Sequence, residues 1–218
     1  MVRSLTLLRH GRTSYNAEGR FQGQVDVPLD ELGEAQARAV GVHLAGSSTV
    51  SRIVSSDLRR AAQTAQALSD EADVAVEFDS ALREISVGDW EGHTRDEVAT
   101  MWPDELDAWL AGVDMRPPGG ESRDESATRV HGAITRLVAE SGADSDLVVV
   151  AHGAVIRGAA EMLLGMEHGE GRLGVLSNCT YARLSPGRDG WVLRSWEGGA
   201  ESVALARPGE DATVVAAR

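Results

Sequence analysis

Residues 146 to 153 read DLVVVAHG, and the β-branched run inside that stretch constrains this 218-residue chain more than any other feature. A strand with one face in water alternates apolar and polar residues. A continuous apolar run needs cover on both faces, as at the centre of a parallel sheet. Parallel neighbours are joined by crossovers long enough to hold a helix. The run therefore implies strands alternating with helices.

The rest of the chain supplies those elements. Ser4 to Arg9 reads as a short buried strand, followed by a polar loop from Gly11 to Val27. From Asp30, DELGEAQARAVGVHLAG has helical spacing, with Asp30 as N-cap and Gly46 at its close. SRIVSS, 51 to 56, is a second strand; DLRRAAQTAQAL, from Asp57, is an Ala-rich amphipathic helix; Val74 to Glu77 is a third strand. Ser80 to Gly120 is irregular, except that Thr94-Arg95-Asp96-Glu97 has capping-box spacing and opens a short helix. Glu121 to Ser141 forms a long helix, and Ala154 to Leu164 another after the central run. CTYARLSPGRDGWVLRSW is a hairpin that turns at Pro186 to Gly190. The expected fold class is α/β, a three-layer α/β/α sandwich on a mostly parallel sheet. Residues 1–197 are expected to form a single domain, and 198–218, where the pattern fades, a loosely ordered tail.

Composition narrows the function. A formal charge of -13 repels polyanions, which argues against nucleic acid or an anionic membrane as partner. No stretch approaches the roughly 20 apolar residues of a membrane span, and the apolar stretch Leu5 to Leu8 is far too short for an export signal. The lone Cys179 excludes an internal disulfide and a Cys-rich zinc site, so a reducing cytoplasm is expected. Asn178-Cys179-Thr180 matches the glycosylation pattern, by chance on this reading. The chain contains no Lys, so any clamp for an anion is made of planar, bidentate guanidinium groups.

Ligands of such sheets bind beyond the carboxyl ends of the strands. Arg9-His10-Gly11 and Ala151-His152-Gly153 both fall there, so two histidines converge on one crevice with a cation beside them. His43, His93, His131 and His168 lie in amphipathic helices or polar loops and are expected to pack or face solvent. No spacing of His, Asp or Glu suggests a metal, and no other cofactor is called for.

Four pieces, RHG at 9–11, SSDLRRAAQTA at 55–65, LRE at 82–84 and AHG at 151–153, together resemble the histidine phosphatase superfamily, branch 1, also called phosphoglycerate mutase-like. The resemblance implies the phosphoglycerate mutase-like fold and a metal-independent phosphatase acting through phosphohistidine on a small phosphorylated substrate. It assigns His10 as nucleophile, Arg9, Arg59 and His152 as the phosphate clamp, and Glu84 as proton donor. Of the adjacent arginines the motif register selects Arg59, leaving Arg60 to the helix surface. Gly11, Asn16, Gln22, Gly23 and Gly153 match positions that contact phosphate, Gly153 through the amides of a helix start. Chemistry supports these roles. Neutral imidazole has a lone pair for attack, and the charge of the transferring group must meet donors already in place. A carboxyl close to a dianion keeps its proton for the leaving oxygen; the competing reading of Glu84 is a surface ion pair with Arg83.

Family mutases carry a Lys and an adjacent Arg pair after the catalytic Glu, whereas Ile85 to Pro118 here holds only Arg95 and Arg116. The segment reads SVGDWEGHTRDEV, then PGGESR at 118–123, similar to the phosphatase branch and within it to glucosyl-3-phosphoglycerate phosphatases. A cofactor-dependent mutase and a non-catalytic phospho-ligand binder stand as alternatives. Trp90, Met101, Trp102 and Trp109 are read either as an apolar cap that stacks on a sugar or as packing for this segment. Members of the family are often dimers, so the resemblance admits a homodimer, with no interface signature in the sequence.

Overall fold

The computed structural model describes residues 2–166 and 173–199; His168 and all but the first two residues of the expected tail lie outside them. Among the described residues six strands form one sheet: β1 (Ser4–Arg9), β2 (Arg52–Ser55), β3 (Val76–Phe78), β4 (Asp146–Ala151), β5 (Tyr181–Pro186) and β6 (Trp191–Gly198). Their order is β3-β2-β4-β1-β5-β6. The first four are parallel, while β5 runs antiparallel to β1 and β6 antiparallel to β5. The α-helices described between them are α1 (Ser14–Glu18), α2 (Glu31–Ser47), α3 (Arg59–Ala72), α4 (Arg95–Met101), α5 (Pro103–Leu110), α6 (Arg123–Glu140) and α7 (Gly153–Leu163).

Alternation within the strands makes the sandwich. Leu8, Ile53, Val148 and Val150 face α2 and α3, burying Ala37, Val40, Leu44, Ala61, Ala65 and Leu68. On the other face Leu5, Leu7, Val54, Leu147, Val149 and Ala151 pack on Val130, Ile134 and Leu137 of α6 and Val155, Ile156 and Ala159 of α7. Every residue of β4 is buried, as its unbroken apolar run requires.

The crossovers set the crevice. From β1 the chain passes over one face to β2, and from β4 it passes over the other face to β5, in the opposite direction along the sheet. β1 and β4 are neighbours, so the switch point of the fold lies between them, at the carboxyl ends that carry His10 and His152.

Asp30 caps α2, its carboxylate accepting from Gly33 N at 2.7 Å, as the sequence implied. Thr94 and Glu97 form the expected capping box, Thr94 N donating to Glu97 at 2.7 Å. The segment 80–120 is more regular than expected. It holds 3-10 turns at Ser80–Leu82 and Gly88–Trp90 and the helix α5, which Pro103 opens at its first turn. The short helix α1 also falls inside what reads as loop, five residues being too few for a periodic signal.

The loop after β1 lies directly on the start of α2. A Cβ on Gly33 would stand 2.0 Å from Arg12 O, and one on Gly11 2.6 Å from Gly33 O. Backbone on backbone leaves nothing soft to yield. Gly33→Ala is expected to destabilise by about 1–3 kcal/mol, the usual cost of overpacking, measured as a drop in the urea midpoint. An unchanged midpoint would contradict this packing.

Candidate active site

Strand register assembles the centre of the site. Arg9 pairs with Ala151 across β1 and β4, so the next residues, His10 and His152, emerge side by side. Their ring centroids are 5.1 Å apart and both side chains are buried. His10 Nδ1 lies 2.7 Å from Gly11 O, an acceptor only, so Nδ1 carries the proton and Nε2 the lone pair. Gly11 N is engaged by Thr64 Oγ1 at 3.0 Å. Gly11 therefore orients the imidazole rather than offering an amide to the crevice.

The guanidinium in the crevice is that of Arg60, which corrects the choice of Arg59. Arg60 is buried and donates from Nε to His152 Nδ1 at 3.2 Å, from Nη1 to Val25 O at 2.7 Å and from Nη2 to Gly23 O at 2.8 Å. Arg59 is exposed on the opposite side of the turn, its backbone amide donating to Asp26 at 2.7 Å. Successive helical residues point about 100° apart, so only one of the two can face inward. The buried stripe Arg60, Ala61, Thr64, Ala65 and Leu68 settles which, and that spacing was legible in the sequence.

Arg60 donates to His152 Nδ1, so Nε2 holds the proton, directed to Ser56 Oγ at 2.9 Å. Burial pushes both His10 and His152 well below the ordinary imidazole value near 6.5; the adjacent Arg60 adds to this in each. Burial also lowers Arg60, to about 10, where it still carries its charge at neutral pH. Arg9 donates to Leu176 O and contributes positive potential to both histidines.

Glu84 reaches the crevice from the segment between the two 3-10 turns. Its carboxylate accepts from Ile85 N at 3.0 Å, Ala154 N at 3.3 Å and Val155 N at 3.2 Å. The last two are first-turn amides of α7, whose N-cap His152 gives no side-chain cap, so Glu84 takes the two amides that follow Gly153 at this helix start. Gly153 itself serves by having no side chain: a Cβ there would meet Arg9 Nε at 3.3 Å. Arg83 pairs with Asp57, not with Glu84.

Several positioning residues escaped the sequence. Arg129 donates to the carbonyls of Ala81 and Arg83 at 2.9 Å and Glu84 at 3.3 Å. Glu121 binds that guanidinium through both oxygens and accepts from Ser86 N at 3.0 Å, so α6 clamps the segment that bears Glu84. Thr13 is buried and serves the first loop. Its amide donates to Asn16 Oδ1 at 3.1 Å and its hydroxyl to Gln22 Oε1 at 2.9 Å. With both amide oxygens so held, Asn16 and Gln22 present their NH₂ groups as donors. Asn178 Nδ2 donates to His10 O at 3.0 Å and to Asn16 Oδ1 at 3.3 Å, a buried position for a residue that only a glycosylation pattern had marked.

The tryptophans pack. Trp90 is fully buried between Phe21, at 5.4 Å, and Trp109, at 5.7 Å, so it has no face for a sugar. Trp102 lies against His93 at 5.9 Å, and Met101 is exposed. His43 stacks on Tyr181, and Cys179 is buried. Among the described residues no helix is long and apolar enough to cross a membrane.

A buried neutral imidazole, a second one beside it and two guanidinium groups at the carboxyl end of a parallel sheet define a site built for phosphoryl chemistry on a small anion. Residues 5–198 match the family model of the histidine phosphatase superfamily (branch 1), and the chain belongs to that family. It is 41% identical over 191 residues, 84% of each chain, to a glucosyl-3-phosphoglycerate phosphatase of Mycolicibacterium vanbaalenii. It is 38% identical over 216 residues to one from Mycobacterium tuberculosis, covering 92% of this chain and 96% of that one. The structure of a mycobacterial glucosyl-3-phosphoglycerate phosphatase in complex with VO3 superposes with a TM-score of 0.83 at 38% identity, covering 90% of this chain and all of that one.

Two outcomes check the geometry. Arg60→Ala should lower kcat/KM for a phosphomonoester by about 10²–10³, as loss of one charge-stabilising donor does, while Arg59→Ala stays within a few-fold. The reverse order would restore Arg59 to the clamp. Nitrogen-15 NMR should find the rings of His10 and His152 still neutral as pH falls through about 6.5, where free imidazole protonates. The unfolded chain takes up those protons and the folded one does not, so stability should decline as pH drops below that point. Protonation of either ring at or above it would contradict the burial.

Proposed function

We propose that this protein is a phosphomonoesterase that passes the phosphoryl group through His10 and acts on a phosphorylated sugar acid of the glucosyl-3-phosphoglycerate kind. The observation that carries this reading is the fixed tautomer of His10, held by Gly11 O, with its Nε2 lone pair turned toward the crevice that His152, Arg9 and Arg60 line. Neutrality matters as much as position. An imidazolium has no lone pair, and burial beside Arg60 keeps His10 in the attacking form.

In the first step His10 Nε2 attacks phosphorus, and the bond to the ester oxygen breaks. Charge on the phosphoryl oxygens is met by Arg9 and Arg60 and by the NH₂ groups of Asn16 and Gln22. Glu84 gives the departing oxygen its proton. Water then attacks the phosphohistidine, Glu84 takes a proton from it, and the P–N bond breaks to release phosphate and restore His10. One difficult displacement becomes two easier ones.

The sugar-acid substrate is supported by the identity to named glucosyl-3-phosphoglycerate phosphatases over most of the chain. Water as final acceptor is supported by the segment after Glu84, where the Lys and adjacent Arg pair of the mutases are missing.

The test is phosphate release from glucosyl-3-phosphoglycerate, 3-phosphoglycerate and p-nitrophenyl phosphate. His10→Ala should abolish release from all three. Glu84→Gln should lose about 10²–10⁴ on the two alkyl esters and far less on the nitrophenyl ester, whose leaving group needs no proton. Equal losses on all three would remove Glu84 from the acid role, and an active His10→Ala would remove the phosphohistidine.

A further inference from the structure

Arg123 and Arg157 stand at the same end of the sheet as the crevice and have no part in the chemistry above. Arg123 is the first residue of α6, which runs back toward the start of β4, so its beginning lies at the carboxyl end of that strand. Arg157 is four residues beyond Gly153, where a Cβ would meet Arg9 Nε at 3.3 Å. Helical residues four apart share a face, and their side chains lean toward the N-terminus. Arg157 is thus on the face of α7 that opens beside Arg9 at Gly153.

Arg123 is fixed in place. Its guanidinium carbon is 3.8 Å from the Trp109 ring centroid, and Nη2 donates to Trp109 O at 2.8 Å. Trp109 meets Trp90 edge-on at 5.7 Å, and Trp90 meets Phe21 at 5.4 Å. Phe21 is the residue before Gln22, so this aromatic row runs from the first loop of the crevice to the Arg123 guanidinium.

The two arginines are close enough to disturb each other. Burial, and then the charge of Arg157, push Arg123 down to about 10, with Asp114 opposing. Arg157 Nε is buried with no hydrogen-bond partner among the described residues. Three other partly buried arginines of this acid-rich chain take a carboxylate, Arg12 taking Asp30, Arg52 taking Glu77 and Arg129 taking Glu121, while Arg60 and Arg183 have neutral partners. Arg123 and Arg157 form no such bridge among the described residues. Two like charges held together without a bridging carboxylate, Asp114 acting on Arg123 only through space, cost stability that an anion between them would recover.

We propose that Arg123 and Arg157 form a second anion subsite beside the phosphoryl crevice, which takes the carboxylate of a phosphorylated hydroxy acid. The inference rests on the phosphomonoesterase reading and narrows its substrate class. Guanidinium forks match a planar carboxylate through paired N–H donors, and Trp109 orders one fork in advance.

The test compares 3-phosphoglycerate with glycerol 3-phosphate, which carries the same phosphate and lacks the carboxylate. The wild-type protein should prefer the acid in kcat/KM by about 10- to 100-fold, the worth of a charged hydrogen-bonded pair. Arg157→Gln should collapse that ratio toward unity, chiefly through KM for the acid. Arg123→Gln should do the same and serves as an independent check, since Arg157 lies outside the α6 cap. A ratio near unity in the wild type, or one that neither substitution changes, would overturn the subsite. Calorimetry on His10→Ala separates the two readings. Tighter binding of the acid, lost in the double variant with Arg157→Gln, upholds the subsite even if the wild type releases no phosphate and the phosphatase reading falls.

Discussion

The pairing of β1 with β4 is the constraint on which the rest of the molecule depends. Six residue pairs, from Ser4 with Asp146 to Arg9 with Ala151, fix one register. It is anchored at its start by Asp146, which accepts from Arg3 and from Ser4 Oγ. A slip of one residue would turn Leu5 and Leu7 from the face of α6 and α7 to the face of α2 and α3. It would also part the two histidines that follow the strands. The burial that stabilises the sheet and the juxtaposition that permits chemistry are thus consequences of one register.

Positive charge is held inside a negative molecule. The chain carries -13 overall, yet Arg60 is buried with carbonyls and His152 as hydrogen-bond partners rather than a carboxylate. A cation stripped of water and satisfied only by neutral acceptors keeps its field for a guest. Burial first, and then the field of Arg60 with that of Arg9, holds His10 and His152 neutral, so the cations that form the clamp also tune the nucleophile.

Much of this was legible in the sequence because it follows short-range rules. The run in β4, the His-Gly ends of β1 and β4, the Asp30 cap and the hairpin of β5 and β6 each depend on neighbours in the chain. What escaped depends on distant partners. Arg60 was set aside for Arg59 although the buried stripe through Thr64 and Leu68 pointed inward. Thr13, Glu121, Arg129 and Asn178 do their work through contacts across the fold that no local pattern encodes. The sequence left the tryptophans between a sugar cap and packing, and tertiary packing claimed Trp90 entirely.

The central claim is that His10 carries the phosphoryl group, and the direct measurement is to trap it there. Mixing substrate with Glu84→Gln, quenching rapidly in alkali to preserve a P–N bond, and mapping the modified peptide by mass spectrometry would locate the group. Phosphohistidine is expected at His10, formed and lost fast enough to lie on the path of turnover. Phosphate release with no phosphorylated residue, or with the group on any other side chain, would contradict it.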